Sequence, residues 1–73
     1  MKYNLGDIVF HKEYNQIYKI INQYNGQIDA YYRVKYVKSI YKENLEFKIL
    51  TLPRSSFESK TRLLTTEEKI ELL

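Results

Sequence analysis

Apolar and polar side chains alternate most regularly between Ala30 and Val37. One set comprises Tyr31, Arg33, Lys35 and Val37, and the other comprises Ala30, Tyr32, Val34 and Tyr36. Successive side chains of a β-strand point to opposite faces of its sheet, so this alternation predicts a strand with one buried and one solvated face. Because Arg33 and Lys35 belong in water, we expect Tyr32, Val34 and Tyr36 to face the core and Tyr31 to be exposed.

Four further segments have the β-branched and aromatic composition of strands. Together with the first segment, they predict strands over residues 8–11, 17–24, 30–37, 45–52 and 61–64. Gly6-Asp7 predicts a turn capped by the aspartate carboxylate, and Asn25-Gly26 predicts a tight type I′ hairpin turn with positive φ angles. Residues 39–44 are predicted to form the next loop. Pro53 is predicted to end strand four, because it lacks an amide hydrogen.

The predicted fold is mainly β: a five-stranded antiparallel SH3-like barrel with a short C-terminal helix. A single 3₁₀ turn over residues 54–59, anchored by Phe57, is predicted before the last strand, and this order of elements favours an SH3-like barrel. An OB-type barrel is the alternative, although it usually needs more residues and a longer insertion. Residues 1–73 are predicted to form a single domain, with the barrel over about 5–64 and the helix over about 66–73.

The helix prediction depends on a capping box. Thr65 and Glu68 have the spacing at which a hydroxyl and a carboxylate bind the first unpaired amides of a helix. An isolated helix needs about 12–15 residues to hold in water, and this one is shorter. We therefore expect Ile70 and Leu73 to dock on the barrel or on a partner.

Composition and charge narrow the class of protein. The 73 residues include no cysteine, so disulfides and thiolate metal sites are excluded. No apolar run approaches the roughly 20 residues that span a bilayer, and no signal-peptide pattern opens the chain, so we expect a soluble cytoplasmic protein. The net charge of +3 divides into +4 over residues 1–57 and −1 over residues 58–73. This is weaker than the dense cationic stripe of a dedicated duplex binder.

The sequence contains no catalytic or metal-binding pattern. His11 is the only histidine, and without cysteine it does not make up the three or four ligands of a zinc site. No spacing places His11 beside a serine as its base, and neither Gly6 nor Gly26 lies in a phosphate-binding loop. We therefore predict a non-enzymatic binding module with no cofactor and no metal.

The eight tyrosines are the feature of the composition that bears on binding. They can extend a small core at the open ends of the barrel, stack on bases beside cations that hold phosphates, or anchor a protein interface. We favour a protein partner among the two binding roles, because the cations are interspersed with Asp29, Glu43 and Glu46. The predicted binding residues are Tyr31, Arg33 and Lys35, with Lys38 and Tyr41 as weaker candidates.

Several segments together resemble a known class of small barrels. GDIVF begins strand one, IYKII lies in strand two, YYRVKYV lies in strand three, and TRLLT precedes an acidic helix. This arrangement resembles the SH3-like barrels of the Tudor and KOW type, especially the short versions in bacteriophage and mobile-element proteins. The chain lacks the acidic loop of peptide-binding SH3 domains and shows no clear methyl-lysine aromatic cage, so neither specificity is expected here.

The resemblance implies an accessory protein encoded by a phage or mobile element. Such a protein is expected to act in the host cytoplasm, where it binds and can inhibit a host protein, for example a defence nuclease in the manner of an anti-CRISPR protein. The alternative is a small barrel that binds nucleic acid through the tyrosines and the Lys/Arg residues of strand three.

Overall fold

The computed structural model describes residues 2–39 and 49–71, and it shows a five-stranded antiparallel sheet with two short helices. In chain order the elements are β1 (Ile8–His11), β2 (Gln16–Asn25), β3 (Ala30–Ser39), β4 (Ile49–Pro53), α1 (Arg54–Lys60), β5 (Thr61–Leu63) and α2 (Thr66–Glu71). The mainly β class and the five predicted strands are confirmed. Residues 45–48 of predicted strand four, and all of the predicted loop after Ser39, lie outside the described residues.

The strands are ordered β4-β3-β2-β1-β5, and the predicted closure into a barrel is wrong. β4 pairs with β3 and β5 pairs with β1, which leaves β4 and β5 at opposite edges of the sheet. Helix α1 packs against β3, β4 and β5, so it fills the space between the edges. The core is therefore enclosed by an open sheet and a helix.

Two bulges bend the long β2–β3 hairpin. Its register shifts between Ile17 and Tyr18 and again between Ile20 and Asn22, which leaves Val37 and Ile21 without an opposite residue. A bulge bends its strand and increases the local twist. The hairpin therefore curves around the core, although the alternation of the sequence does not mark either position.

The core is built mainly from aromatic rings. Seven of the buried hydrophobic residues in the described part of the chain form one cluster, which comprises Tyr3, Val9, Tyr18, Ile20, Tyr32, Val34 and Phe57. The Phe57 ring lies 6.0 Å from the Tyr3 ring, 6.1 Å from the Tyr18 ring and 5.3 Å from the Tyr32 ring, measured between centroids. Offset and tilted contacts at these distances suit aromatic pairs, so Phe57 joins α1 to the sheet.

The buried tyrosine hydroxyls have hydrogen-bond partners inside the protein. Tyr3 shares a 2.8 Å hydrogen bond with the Thr61 hydroxyl. The Tyr32 hydroxyl donates to Glu58 and accepts from the Tyr3 amide at 3.0 Å. Burial raises the pKa of Tyr32 to about 12, with the hydrogen bond to Glu58 acting in the same direction. These tyrosines are structural, as expected if some of the set extends a small core.

The two glycines serve different purposes. Gly6 has a φ of 89°, and the Asp7 carboxylate accepts the Asn4 amide at 2.8 Å, so the predicted capped turn is confirmed. The predicted type I′ turn is wrong: Asn25 pairs with Ala30 in the ladder, and Asn25 and Gly26 are not among the described residues with positive φ. A Cβ atom on Gly26 would lie 2.4 Å from the Asp29 carbonyl oxygen and 2.7 Å from the Tyr31 ring, so close packing requires the glycine.

Helix α1 is longer and more regular than predicted, and helix α2 has the predicted cap but not the predicted packing. The expected 3₁₀ turn is a seven-residue α-helix, α1, in which Arg54 and Glu58 form an ion pair one turn apart at 3.5 Å. In α2 both arms of the predicted capping box are confirmed, because the Thr65 hydroxyl accepts the Glu68 amide at 3.2 Å and Glu68 accepts the Thr65 amide at 2.9 Å. Ile70 is 62% exposed, so it does not dock on the sheet. Leu73 lies outside the described residues.

Candidate binding sites

The face of the β2–β3 hairpin that points away from the core carries the predicted binding residues. Directly opposite residues on the two strands are Tyr24 and Tyr31, Asn22 and Arg33, and Lys19 and Lys35. Opposite residues in an antiparallel pair project from the same face, so these six side chains form one continuous surface. We call them the outer patch.

The predicted faces of β3 are confirmed by burial. Tyr32 and Val34 are fully buried and Tyr36 packs against the core, whereas Arg33 and Lys35 are exposed. Tyr31 lies on the outer face as predicted, but it is half-buried rather than exposed, because its ring lies against Gly26. It therefore covers the hairpin loop as well as contributing to the surface.

The remaining two predicted residues are not placed with this group. The backbone of Lys38 belongs to β3, but its side chain is outside the described part of the structure, and the same holds for the whole of Tyr41. Of the other residues of the patch, Asn22 and Tyr24 were not predicted from the sequence, and Lys19 was expected only as one of the cations interleaved with the tyrosines. Their place depends on the register of the hairpin, which the bulge at Ile21 shifts by one residue.

The Tyr24 hydroxyl is the polar centre of the outer patch. It accepts a hydrogen bond from Arg33 Nη1 at 3.2 Å and another from Asn22 Nδ2 at 3.2 Å. Both contacts are exposed, and Tyr24 itself is 39% exposed. The guanidinium and the phenol ring are thus held together at the surface, which reduces the side-chain entropy that a partner must remove.

Three cations, Lys19, Arg33 and Lys35, make the outer patch positive. Among the described residues, no carboxylate lies within ion-pair distance of Lys19, Arg33 or Lys35. Lys19 and Lys35 also stand directly opposite each other, an arrangement of like charges that destabilises a sheet. An anionic partner would relieve this repulsion.

Asp29, expected to temper the positive charge, is occupied elsewhere. Its carboxylate accepts the Ser55 hydroxyl at 2.7 Å and lies 3.5 Å from Arg54 Nε. The hydrogen bond from Ser55 is the main reason that the pKa of Asp29 is lowered. Asp29 therefore does not support the expectation that acidic residues interspersed with the cations favour a protein partner. The other two acidic residues in that expectation, Glu43 and Glu46, lie outside the described residues.

Strand β4 extends the outer patch with less polar side chains. Ile49 is opposite Lys35, and Thr51 is opposite Arg33, so both project from the outer face. Ile49 is 49% exposed. The cations are thus bordered by an exposed aliphatic side chain on one side and by tyrosines on the other.

A second candidate site lies on the inner face of the sheet. A pocket of about 330 Å³ opens between α1, β4 and the turn that joins β1 to β2. Five rings line it, those of His11, Tyr14, Tyr18, Tyr36 and Phe57. Leu50 and Leu52 complete its apolar wall, and Gln16, Ser56 and Lys60 supply polar groups. We call this the inner pocket.

His11 forms part of the wall of the inner pocket and packs against Tyr14. Its ring stacks on Tyr14 at 4.4 Å between centroids, and its Nδ1 accepts the Tyr14 amide at 3.2 Å. Burial is the main cause that lowers the pKa of His11. The imidazole is therefore neutral at physiological pH, and with Nδ1 as an acceptor its proton is on Nε2.

Two of the hydroxyls of the inner pocket are hydrogen-bonded within the protein. The Tyr18 hydroxyl donates to Gln16 Oε1 at 2.7 Å, and burial raises its pKa. The Ser56 hydroxyl donates to the Pro53 carbonyl rather than to a base. Across residues 2–39 and 49–71, no group of three or more His, Asp or Glu side chains could hold a metal ion.

Lys60 stands at the end of α1 beside the inner pocket. Its Nζ lies 3.2 Å from Glu13, and its carbonyl accepts the Lys12 amide at 2.9 Å. The latter bond fixes the end of the helix against the β1–β2 turn. The pocket thus combines aromatic walls with one positioned cation.

In the described part of the chain, neither helix is long and apolar enough to cross a membrane. Comparison with protein families, characterised proteins and solved structures finds no match to this chain. A function must therefore be inferred from the outer patch and the inner pocket.

Proposed function

We propose that this protein is a non-enzymatic binding module that attaches to an acidic surface of a protein partner through its outer patch. The observation that supports this most is the set of three cations without a carboxylate neighbour among the described residues, Lys19, Arg33 and Lys35, around a fixed tyrosine.

The composition of the patch favours a protein over other anionic partners. Binding energy at protein interfaces concentrates in Tyr, Trp and Arg residues near the centre. Here Arg33 is bonded to Tyr24 at 3.2 Å, the exposed Ile49 adds an apolar contact, and Lys19 and Lys35 flank them. The two lysines attract a negatively charged surface and increase the association rate.

Although the sheet is not closed, the order of its elements supports a resemblance to SH3-like barrels. Four consecutive antiparallel strands are followed by a short helix, a last strand and a terminal helix. Together with the GDIVF and YYRVKYV segments, this order is compatible with the short proteins of phages and mobile elements. The concrete version of the proposal is an accessory protein that inhibits a host defence nuclease by covering part of its surface.

A second function, the binding of single-stranded nucleic acid, is favoured by the same three cations. Tyr24 and Tyr31 offer ring surfaces beside three cations, a combination that binds bases and phosphates. The partial burial of Tyr31 against Gly26 limits its use for stacking, and for this reason nucleic acid is the second candidate.

The test compares the binding of two variants, one that lacks two charges of the outer patch and one that lacks two charges elsewhere. Arg33→Gln with Lys35→Gln is expected to weaken a purified complex by about 1–3 kcal/mol or more. Lys12→Gln with Lys69→Gln is the matched control, because it removes the same charge from exposed sites outside the patch. The complex is first isolated by pull-down from host lysate, and its affinity is then measured by calorimetry.

The outcome separates the two functions. A protein complex that the patch variant weakens and the control does not supports the proposal, and equal loss in both would contradict it. An oligonucleotide that binds at physiological salt, with a log–log salt slope near about −2 for three neutralised phosphates, would support nucleic acid instead.

A further inference from the structure

The inner pocket has no part in the proposed function, because it opens on the opposite face of the sheet from the outer patch. Its walls are mostly aromatic, and its volume of about 330 Å³ is at the lower end of the range of about 300–1,000 Å³ that small-molecule sites occupy. A cavity of this size accommodates a single small molecule rather than a peptide segment.

The rings in the pocket favour a planar ligand. Tyr14 and His11 are stacked with an interplanar angle of 15°, which gives one flat wall. Tyr18 and Tyr36 lie 4.9 Å apart at 53° and provide a second, angled wall. Aromatic rings between such walls gain from offset and edge-to-face contacts in addition to their burial.

Charge in the pocket selects among planar ligands. Lys60 is the charged residue among the described residues that line it, and no carboxylate lines it there. Lys60 is paired with Glu13, but both side chains are about half exposed, at 48% and 53%, and surface pairs of this kind contribute little. An anionic group of a ligand can therefore replace Glu13 as the partner of Lys60.

The polar groups deeper in the pocket suit an uncharged ring. His11 is neutral, because burial lowers its pKa. The Gln16 amide group supplies N–H donors, while its Oε1 accepts the Tyr18 hydroxyl. Cations are attracted to aromatic faces, but here a cation would be repelled by Lys60. We propose that the inner pocket binds a planar aromatic ring that carries an anionic group held by Lys60.

Two sources share this chemistry, a nucleoside monophosphate and an aromatic carboxylate. The experiment titrates the isotope-labelled protein with adenosine monophosphate, indole-3-acetate, adenosine, inorganic phosphate and trimethyllysine, and follows amide chemical shifts. We expect one of the two anionic rings to shift the amides of His11, Tyr14, Tyr36 and Lys60. Adenosine should bind more weakly than its monophosphate, and phosphate alone should leave His11 and Tyr36 unmoved.

Variants divide the ring contact from the charge contact. Lys60→Met is expected to lower the affinity for the anionic ring roughly tenfold, because it removes one charge-assisted hydrogen bond. It should leave the affinity for adenosine unchanged. Tyr14→Ala should weaken both, and its 51% exposure makes it a mild change for the fold. Lys12→Met is the control, since this exposed lysine does not line the pocket.

Each outcome decides the proposal. Preference for the monophosphate or for indole-3-acetate supports it and identifies the source. It is overturned if no anionic ring shifts these amides at millimolar concentration, if trimethyllysine binds better, or if Lys60→Met binds like the parent. The outer-patch variants should bind these small molecules normally, so failure of the pocket and failure of the proposed function are distinguishable.

Discussion

At the scale of residues, the hydrogen bonds of tyrosine hydroxyls separate structural tyrosines from those available for binding. Tyr3, Tyr18 and Tyr32 are buried, and each hydroxyl is bonded within the protein. Tyr24 has an equally well-defined hydroxyl, but its partners Asn22 and Arg33 lie on the surface. Composition alone could not make this distinction, because the chemistry of all eight residues is the same.

His11 predicts how stability depends on pH. Its pKa is lowered in the folded state from an ordinary value of 6.5, so the unfolded chain binds more protons as the pH falls below that value. The His11 contribution is therefore complete above about pH 6.5 and is lost as the pH falls through the folded pKa. We expect urea midpoints to decrease from pH 7.5 to pH 5.5.

His11→Gln should remove most of that decrease in the midpoint. Asp29, Glu58 and Glu68 do not confuse the measurement, because their carboxyl pKa values lie below their ordinary values of 3.8 to 4.5. Their contributions are lost only in more acidic solution. A midpoint that falls equally in the variant and the parent would assign the effect to other groups.

At the scale of elements, local signals were reliable where the structure uses local contacts. The capping box of α2 formed as predicted, and Glu68 also accepts two hydrogen bonds from Arg62, at 2.7 Å and 2.9 Å. The hydrogen bond from Arg62 is the main cause that lowers the pKa of Glu68 to about 2. The faces of β3 were predicted as well, because a single buried side imposes alternation.

Elements that depend on distant contacts could not be predicted in the same way. α1 is a regular helix because Phe57 packs into a core built by three strands and the N-terminal segment. The sequence of residues 54–60 alone does not reveal these contacts. The bulges at Ile21 and Val37 likewise have no local marker. The inner pocket was missed for the same reason, since Tyr14, Tyr36 and Lys60 meet only in three dimensions.

The capping box of α2 provides a prediction for an element. Thr65→Ala should cost about 0.5–2 kcal/mol of helix stability, because it removes the acceptor of the Glu68 amide. Ile70 is exposed and α2 has no buried residue among those described, so the helix should fray without unfolding the sheet. Hydrogen exchange should therefore accelerate over residues 67–71 and stay unchanged in β2.

Thr66→Ala is the control for this cap, because it replaces a neighbouring exposed threonine at the first helical position. Loss of protection throughout the sheet in Thr65→Ala would show instead that α2 is an integral part of the fold.

At the scale of the whole molecule, the free energy of unfolding depends strongly on helix α1, because the sheet is open and α1 packs against it. Phe57 is 2% exposed and packs α1 on the rings of Tyr3, Tyr18 and Tyr32. Phe57→Ala should cost about 3–5 kcal/mol, a large share of the roughly 5–15 kcal/mol typical of natural domains. We expect the variant to be partly or wholly unfolded at room temperature by circular dichroism.

Phe10→Ala is the matched change on the outer face. The Phe10 ring is half-buried and lies 5.0 Å from the Arg62 guanidinium, so its removal should cost less than that of Phe57. Equal losses for the two phenylalanines would contradict the view that α1 completes the core.

The contacts of Tyr3 have a consequence for the order in which the chain folds. The Tyr3 hydroxyl bonds to Thr61, which is 58 residues away, and the Lys2 amide bonds to Glu58, 56 residues away. Closing loops of this length is entropically costly and slows folding. The β2–β3 hairpin can form early from local contacts, and the Tyr3 backbone can bond to it through Tyr32 and Gln23. The Tyr3 hydroxyl and the Lys2 amide, in contrast, gain their partners only when α1 and β5 are present. A chain still emerging from the ribosome therefore lacks these two contacts, and the core closes only when the residues as far as Thr61 have been made.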